Sequence, residues 1–331
     1  MSNDYDEFNS WKALLYADKC RAILDGNFLP PVMIHVYPTN KCNGRCNFCI
    51  MKTEQEYKTE LEKSVFERLV QSANDMGVKG LQITGGGEPL LYSHLHHIQK
   101  FNGFKLLATN GSFLTPEIAS MFDRIRVSLN AGNAKTHSAV MGLNNFSEVI
   151  VNMRRVKKHC PNVTMGIGFV LSFDNWHEVF DVCEIADSVG ADFVHIRPAF
   201  FADKKRDKKV REIVEAAYHL CEAAKKRNIV KVFAISEKFD GYWTERKYKK
   251  CLASPLNAVV TATGELVPCL DVFIRFGDLN KNTFEEIWGS EEHKKAIAKI
   301  EIEKCPRCVM TKPNEIIENV FIKNKILAEL L

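Results

Sequence analysis

The sequence predicts an α/β protein built on parallel strands, followed by a small α+β region at the C-terminal end. Six units of one strand and one helix fit between residues 32 and 228. Strands and helices that alternate at this spacing imply parallel strands joined by right-handed crossovers. Six units are too few for an eight-stranded barrel, so we expect a partial barrel or an open sheet. The alternation stops near residue 230, where the second region begins.

The elements of the first region follow from its apolar segments. Strands are predicted at 32–39, 81–87, 104–111, 124–131, 163–171 and 193–200. Helices are predicted between them, notably at 63–77, 145–159, 174–189 and 207–227. Glycines and polar residues concentrate where these strands end, in the segments GGGEP, TNG and SLNAG. Ligands of parallel sheets bind at this edge, so we expect the functional site there.

The two ends of the chain depart from this alternation. Residues 10–25 have helical apolar spacing and are expected to pack on the main domain. The C-terminal region is predicted to contain a seventh strand within 231–239, a hairpin at 258–270, and helices at 282–300 and 314–331. We therefore divide the chain into an N-terminal helical extension (1–30), the partial barrel (31–235) and a C-terminal domain (236–331).

The composition is that of an ordinary globular protein, with 331 residues, 46% hydrophobic residues and a net charge of +4. This charge is too small to indicate nucleic-acid binding by itself. The N-terminus lacks the basic and apolar segments of a signal peptide, and no stretch approaches the length of a membrane span. We therefore expect a cytoplasmic protein without a membrane partner. Its eleven cysteines then indicate metal or redox chemistry rather than disulfides.

Three cysteines follow the first strand closely. Cys42, Cys46 and Cys49 place three thiolates in one short loop at the carboxyl end of the sheet. Three close cysteines with no fourth nearby suit a [4Fe–4S] cluster that keeps one iron open. The alternative is a zinc site that recruits a distant ligand such as His94, His96 or His97. Zinc sites usually pair their ligands, so we favour the cluster.

This motif, with Phe48 before the last cysteine, resembles the signature of radical S-adenosylmethionine (SAM) enzymes. The resemblance covers about residues 32–200 and implies a partial (β/α)6 barrel. It also implies that Cys42, Cys46 and Cys49 are the catalytic cluster ligands. In that family the open iron binds SAM, and one electron cleaves SAM to methionine and a 5′-deoxyadenosyl radical. The radical then abstracts a substrate hydrogen, while the protein orients the cofactor and excludes water.

The glycine-rich segment after the second strand is similar to a second motif of the family. Gly86, Gly87 and Glu88 match its Gly-Gly-Glu sequence, which binds the SAM amino group. Glycines can expose backbone carbonyls to an ammonium, and a glutamate adds negative charge. Taken alone, the segment could also be a phosphate loop, although Glu88 and Pro89 are poor for an anion.

Further SAM contacts are implied at the ends of later strands. The family places polar groups there that reach the carboxylate and ribose of SAM. The corresponding residues are Asn110, Ser128, Asn130 and Arg197. Each of them can equally be a turn or cap residue.

A second set of cysteines lies in the C-terminal domain. Cys251, Cys269, Cys305 and Cys308 can close a four-thiolate site for zinc or for a second [4Fe–4S] cluster. Their spacing resembles the twitch domain, a shortened SPASM domain, which implies one auxiliary [4Fe–4S] cluster. The other four cysteines are expected to be structural, because two of them lie on apolar helix faces. These four are Cys20, Cys160, Cys183 and Cys221.

The resemblance implies a class of reaction but not a substrate. We expect radical modification of a peptide or a polar small molecule, such as dehydrogenation, cross-linking or epimerisation, with an electron donor such as flavodoxin or ferredoxin. A second hypothesis is modification of a nucleotide or nucleic-acid base. It draws on the basic run 204–209 and on Tyr242 and Trp243, although a solvated helix start or loop is the simpler interpretation. A third is a non-catalytic iron–sulfur or zinc scaffold.

Overall fold

The computed structural model contains one sheet that joins ten strands of the described residues. It describes residues 10–52, 58–201, 204–227, 229–234, 239, 246–269, 274–305, 308 and 310–323. The strands are β1 (Met33–Val36), β2 (Gly80–Ile83), β3 (Phe104–Thr109), β4 (Arg124–Ser128), β5 (Thr164–Leu171), β6 (Phe193–Pro198), β7 (Lys231–Ala234), β8 (Asn257–Val260), β9 (Glu265–Val267) and β10 (Gly277–Asp278). Strands β1 to β7 lie side by side in chain order, and every neighbouring pair is parallel.

Helices connect these strands and cover one face of the sheet. The α-helices are α1 (Ala17–Leu24), α2 (Lys63–Asp75), α3 (Pro116–Ala119), α4 (Ala134–Met141), α5 (Phe146–His159), α6 (Val179–Ser188), α7 (Lys204–Arg227), α8 (Phe284–Ile287), α9 (Glu291–Ala298) and α10 (Thr311–Ile317). Short 3₁₀ turns occupy Ser10–Tyr16, Pro89–Leu91, Leu95–Lys100, Trp176–Glu178, Ser254–Leu256 and Ile302–Lys304. The prediction of a partial α/β barrel is confirmed, and so is the seventh strand.

The alternation of side chains along β4 shows how the sheet separates two environments. Ile125 and Val127 are fully buried in the main core beneath the helices. Arg124, Arg126 and Ser128 are only partly buried and point to the opposite face, which is the interior of the barrel. A strand directs successive side chains to opposite faces. The polar residues of β4 are therefore available to a ligand inside the barrel.

The C-terminal region is joined to the barrel through the sheet itself. Strand β8 is parallel to β1, with Met33 opposite Asn257 and Val36 opposite Val260. Strands β9 and β10 continue outward in antiparallel order. The predicted hairpin at 258–270 is thus confirmed as β8 and β9. Its pairing with β1 was not predicted, and neither was β10, which is only two residues long.

The N-terminal helix packs on the C-terminal region, and the prediction that it packs on the barrel is wrong. Cys20 and Ile23 of α1 lie in one apolar cluster with Leu252, Leu256 and Ile317. The N-terminal helix and the C-terminal residues of this cluster both lie beside β1, because β8 extends the sheet on that side of β1. The N-terminal extension therefore supports the C-terminal domain.

The C-terminal helices in the structure are shorter than the apolar pattern of the sequence predicts. The segment 282–300 forms two helices, α8 and α9, because the backbone becomes extended at Trp288 and then turns at Gly289, which has a φ of +79°. Ser290 then caps α9 by accepting a hydrogen bond from the backbone N–H of His293. Helix α10 continues into a π-helical segment, Glu318–Lys323. The end of the predicted helix, 324–331, lies outside the described residues.

Helices that could span a membrane were sought across the described residues. None of them combines enough length with enough apolar character.

Replacing Ile23 by alanine tests the packing of α1 on the C-terminal region. The change removes buried methyl groups from the cluster around Leu252 and Ile317, so we expect a loss of about 2–5 kcal/mol in the free energy of unfolding. Leu15→Ala is the matched control, because Leu15 is 79% exposed and its loss should change stability by less than about 0.5 kcal/mol. Urea titration measures both. Equal stability of the two variants would contradict this packing.

Candidate iron–sulfur and S-adenosylmethionine site

The cysteine loop lies just beyond the carboxyl end of β1 and is docked on α4. The backbone N–H of Arg45 donates to the carbonyl of Met141 at 2.9 Å, and that of Asn47 donates to Val140 at 2.8 Å. Gly142 ends α4 with a φ of +65°, and a Cβ there would lie 3.0 Å from Cβ of Arg45. Glycine at this position therefore allows the helix end and the loop to approach closely.

The three thiols of this loop are half-buried and close enough to repel one another when ionised. Burial, and then the charges of Cys49 and Cys42, raise the pKa of Cys46 to about 12. Burial also raises the pKa of Cys42, and the charges of Glu88 and Cys49 contribute to the increase. Such thiols become thiolates readily only when cations bind among them. This donor set therefore fits an iron–sulfur cluster.

A single-metal site is not supported by the described residues. No group of three or more His, Cys, Asp or Glu side chains among them can hold one metal ion. His97, one of the proposed zinc ligands, lies with its Nδ1 3.1 Å from Oε1 of Glu67. In an iron–sulfur cube each thiolate binds a different iron, so the thiols need not converge on one point. Phe48 is half-buried against the main core and anchors the loop there.

The glycines of the Gly-Gly-Glu segment permit a close backbone contact with the residues that precede Cys42. A Cβ on Gly86 would lie 2.2 Å from Oδ1 of Asn40, and one on Gly87 would lie 2.0 Å from the carbonyl oxygen of Lys41. The backbone N–H of Gly87 donates to Thr39 at 2.8 Å. A larger residue would therefore separate the two segments.

Glu88 connects the ends of two strands. Its carboxylate is buried and accepts hydrogen bonds from Oγ1 of Thr109 at 2.6 Å, from the N–H of Asn110 at 2.7 Å and from the N–H of Leu90 at 3.1 Å. Burial raises the pKa of Glu88, and these three donors counter the increase. The carboxylate thus holds the strand ends in place, in addition to any effect of its charge on SAM.

Asn110 belongs to a chain of polar contacts that reaches the cysteine loop. Its Nδ2 donates to Oδ1 of Asn43 at 2.7 Å, and its Oδ1 accepts from the N–H of Ser112 at 2.9 Å. The Nδ2 of Asn43 and that of Asn145 both donate to Oγ of Ser112, at 2.8 and 2.7 Å. Our sequence analysis missed Asn43, Ser112 and Asn145. The position of Asn43 between the first two cysteines was the available signal.

The remaining predicted SAM contacts fall into two groups. Asn130 is only 1% exposed. Its Oδ1 accepts from the N–H of Val170 at 2.7 Å, and its Nδ2 lies 2.9 Å from Sδ of Met141. Both ends of its amide are therefore occupied by the protein. Ser128 and Arg197 instead line an open cavity inside the barrel, where a ligand can reach them.

The second cysteine set is held by contacts from Arg246 and Tyr248, which precede β8 in the chain. The guanidinium of Arg246 donates to the carbonyl of Cys305 at 2.7 Å. Burial raises the pKa of Cys308, and the charge of Cys251 adds to this increase, whereas a hydrogen bond from Tyr248 opposes it. Cys251 and Cys308 are thus neighbours. Cys269 is half-buried at the end of the predicted hairpin.

The four cysteines predicted to be structural lie outside both sets. Cys20, Cys183 and Cys221 are buried, and Cys160 donates from its thiol to the carbonyl of Pro116 at 3.3 Å. None of the eleven cysteines forms a disulfide. Burial confirms for Cys20, Cys183 and Cys221 the prediction that they pack as small apolar side chains, whereas Cys160 is only partly buried.

In the basic run at the start of α7, Lys205, Lys208 and Lys209 are exposed, as predicted for a solvated helix start, whereas Arg206 contacts the cysteine loop. Nη1 of Arg206 donates to the carbonyl of Asn47 at 2.8 Å. The same guanidinium lies 4.1 Å from the ring centroid of Phe201, within the range of a cation–π contact. Tyr242 and Trp243, the proposed stacking residues, lie outside the described residues.

Comparison with known proteins identifies the family of this site. Residues 36–186 match the model of the radical SAM superfamily, and residues 251–309 match SPASM, an iron–sulfur cluster-binding domain. The chain belongs to the radical SAM superfamily and is a radical SAM enzyme that uses SAM and a [4Fe–4S] cluster. The SPASM domain binds auxiliary iron–sulfur clusters, which confirms the second cofactor. That this domain is the shortened, twitch form with a single auxiliary cluster stays a prediction.

Three similar proteins extend this comparison. The chain is 25% identical over 287 residues to the AdoMet-dependent heme synthase of Methanosarcina barkeri, covering 77% of this chain and 81% of that protein. It is 29% identical over 169 residues to a probable GTP 3′,8-cyclase of Saccharolobus islandicus, covering 48% of this chain and only 54% of the cyclase. SuiB of Streptococcus suis bound to the precursor peptide SuiA has the same fold, with a TM-score of 0.66 at 15% identity over 88% of this chain and 72% of SuiB.

Replacing Gly87 by alanine tests the backbone contact beneath the cysteine loop. The new Cβ would lie 2.0 Å from the carbonyl oxygen of Lys41, so the loop has to shift. We expect at least about tenfold weaker SAM binding, because displaced groups cost roughly 1.4 kcal/mol or more. SAM titration of the reconstituted protein measures this. Gly80→Ala is the control, because a Cβ at Gly80 meets only the flexible end of Met33 at 3.3 Å and the carbonyl oxygen of Phe104 at 3.4 Å. Equal affinities would show that the contact does not position the site.

Proposed function

We propose that Cys42, Cys46 and Cys49 hold the catalytic [4Fe–4S] cluster and that the enzyme modifies a peptide or a polar small molecule by a radical reaction. The observation that carries this proposal is the loop of three half-buried thiols, set against the Gly-Gly-Glu segment at one end of a parallel sheet. With cluster and SAM bound, one electron would yield methionine and a 5′-deoxyadenosyl radical that removes a hydrogen atom from the substrate.

The residues of the chain would bind and orient the cofactor in this scheme. Backbone atoms of Gly86 and Gly87 lie beside the cysteine loop, where the amino group of SAM would sit in the family. Glu88 fixes that turn through Thr109 and Asn110. Phe48 packs behind the cysteine loop. The rest of SAM would be contacted by four polar residues, Asn110, Ser128, Asn130 and Arg197. Asn130 acts mainly by positioning, because its amide is occupied by the protein.

The second cysteine set favours an oxidative outcome. Cys251, Cys269, Cys305 and Cys308 offer one thiolate for each iron of an auxiliary [4Fe–4S] cluster. A site whose irons are all bound by the protein suits electron transfer rather than substrate binding. Dehydrogenation or cross-linking of the substrate would supply that electron, whereas epimerisation would not require it. A flavodoxin or ferredoxin is the proposed electron donor for the first cluster.

The class of substrate is supported by two kinds of relative. SuiB, of similar fold, is bound to a precursor peptide. The heme synthase, which this chain matches over most of its length, acts on a small molecule. The cyclase similarity covers about half of each chain, and Arg206 of the basic run contacts the protein itself. We therefore favour a peptide or polar small molecule over a nucleic-acid base.

Reconstitution with and without the first cysteine set tests the central proposal. The anaerobically loaded protein should contain about eight irons per chain and form 5′-deoxyadenosine from SAM after reduction. Replacing Cys42, Cys46 and Cys49 together by alanine should leave about four irons and abolish 5′-deoxyadenosine formation. Cys160→Ala is the control, because this thiol belongs to neither cysteine set and donates its hydrogen bond to Pro116. Cleavage of SAM by the triple variant would refute the proposal.

Replacing Cys305 and Cys308 by serine tests the auxiliary site separately. Two of the four proposed ligands are then lost, so iron should fall by about four per chain. The number of electrons accepted in a dithionite titration should fall from about two to about one, because each cluster accepts one electron. Cys160→Ser again provides the control. An unchanged iron content and titration would exclude these cysteines as cluster ligands.

A further inference from the structure

The interior of the barrel contains a small open cavity between β4, β5 and β6, with about 20 Å³ of space for the centres of water molecules. Its wall is formed by Arg126, Ser128, Gly168, Phe169, Val170, His195 and Arg197. Arg126 and His195 have no part in the site described above. One water molecule needs about 10–15 Å³ on this measure, so the cavity admits about one water-sized group, such as one oxygen atom of an anion.

Arg126 reaches this cavity because β5 has glycines opposite it. Arg126 is paired with Gly166 in the sheet, and a Cβ on the next inward-facing residue, Gly168, would lie 3.0 Å from Cδ of Arg126. A Cβ on Gly166 would lie 2.4 Å from the ring of Phe193. A larger residue at position 168 would therefore crowd Arg126, whereas Gly166 makes room for Phe193. Gly168 thus leaves space for a long, partly buried cationic side chain inside the barrel.

The described partners of Arg126 do not neutralise its charge. Its Nη1 lies 3.4 Å from Nδ1 of His195, and the charges that act on it are those of Arg197 and Arg124, with no carboxylate among them. Burial, followed by these two arginines, lowers the pKa of Arg126 to about 10, which keeps the guanidinium charged at neutral pH. Burial, and then the charge of Arg126, lower the pKa of His35 to about 4.

This arrangement differs from that of ordinary buried arginines. A buried charge is normally paired with an opposite charge, because its transfer from water costs several kcal/mol. Here Arg126 and Arg197 line one cavity, and the charges that act on Arg126 have its own sign. Such a site becomes favourable when an anion enters it, and a guanidinium binds carboxylate or phosphate with two parallel hydrogen bonds.

We propose that Arg126, with His195 beside it, binds an oxyanion of the substrate, a carboxylate or a phosphate, inside the barrel. This inference rests on the proposed function, because it places the substrate next to SAM at the same edge of the sheet. It narrows the substrate to molecules that carry an acidic group. Arg126 then acts as a specificity residue: it fixes the acidic group, and thereby decides which hydrogen lies within reach of the cofactor.

The carboxylate of SAM is the competing occupant of the cavity. Ser128, a predicted SAM contact, ends β4, whereas the backbone of Arg126 lies two residues earlier, about 7 Å deeper in the barrel. Asn110 and Asn130 lie beyond the ends of their strands. The depth of Arg126 favours a group of the substrate, and the experiment below separates the two occupants.

The test measures anion binding directly and does not depend on turnover. The cluster-loaded protein, with and without saturating SAM, is titrated with inorganic phosphate or with succinate, and the melting temperature is followed. We expect one of the two anions to raise the melting temperature, with SAM present as well as absent. Arg126→Met should need at least about tenfold more anion for the same increase, as expected from losing a charged hydrogen-bond partner. Arg154→Met, which removes an exposed arginine, is the matched control and should respond like the wild type.

The outcomes are distinct. An equal response of Arg126→Met and the wild type would overturn the proposal, as would a response that saturating SAM abolishes, because the anion would then be that of SAM. Should Arg126→Met fail to fold, Arg126→Lys keeps the charge without the planar fork and should weaken, but not abolish, the response. A preference for phosphate or for succinate identifies the acidic group. If the cluster-loaded wild type bound the anion but formed no 5′-deoxyadenosine from SAM, the proposed function would be refuted and the anion site would stand.

Discussion

The close backbone contact between residues 39–41 and 85–88 is the constraint on which the candidate site depends. The N–H groups of Gly87 and Glu88 donate to Thr39 and Lys41, both at 2.8 Å. The contact joins the ends of β1 and β2 immediately before Cys42. Glu88 extends it to β3 through Thr109 and Asn110. Three neighbouring strand ends are thereby held in one geometry by hydrogen bonds that only glycines at the turn permit.

The elements of the barrel could be predicted because each depends on local sequence. Apolar segments followed by glycine or polar residues place β1 to β7 correctly, and the helix at 63–77 is found as α2, with Phe66 and Leu69 on its buried face. The cysteines and the Gly-Gly-Glu segment could be found for the same reason, since both motifs are continuous in the chain. Spacing along the sequence was enough to place them at the carboxyl edge of the sheet.

What could not be predicted depends on residues far apart in the chain. The pairing of β8 with β1 gives no local signal, because a strand of only four residues, three of them apolar, fits either edge of a sheet. The contacts of α1 with Leu252 and Ile317 follow only once that pairing is known. Likewise, the position of Asn130 just after a strand is typical of a residue that contacts a ligand. Its amide is nevertheless satisfied by Val170, forty residues later, as only the packed structure reveals.

The position of β8 beside β1 has a consequence during synthesis. Strand β1 is made early, but its neighbour on one side is encoded at 257–260, after residues 37–256 have been translated. At ordinary translation rates this interval lasts roughly 10–40 s. Throughout it, the hydrogen-bonding edge of β1, which carries Ile34 and Val36, faces the medium next to the loop of three cysteines. A nascent chain with such an edge is prone to associate with others. The cell has to protect this edge until the C-terminal domain arrives, and insertion of the first cluster is best timed after that moment.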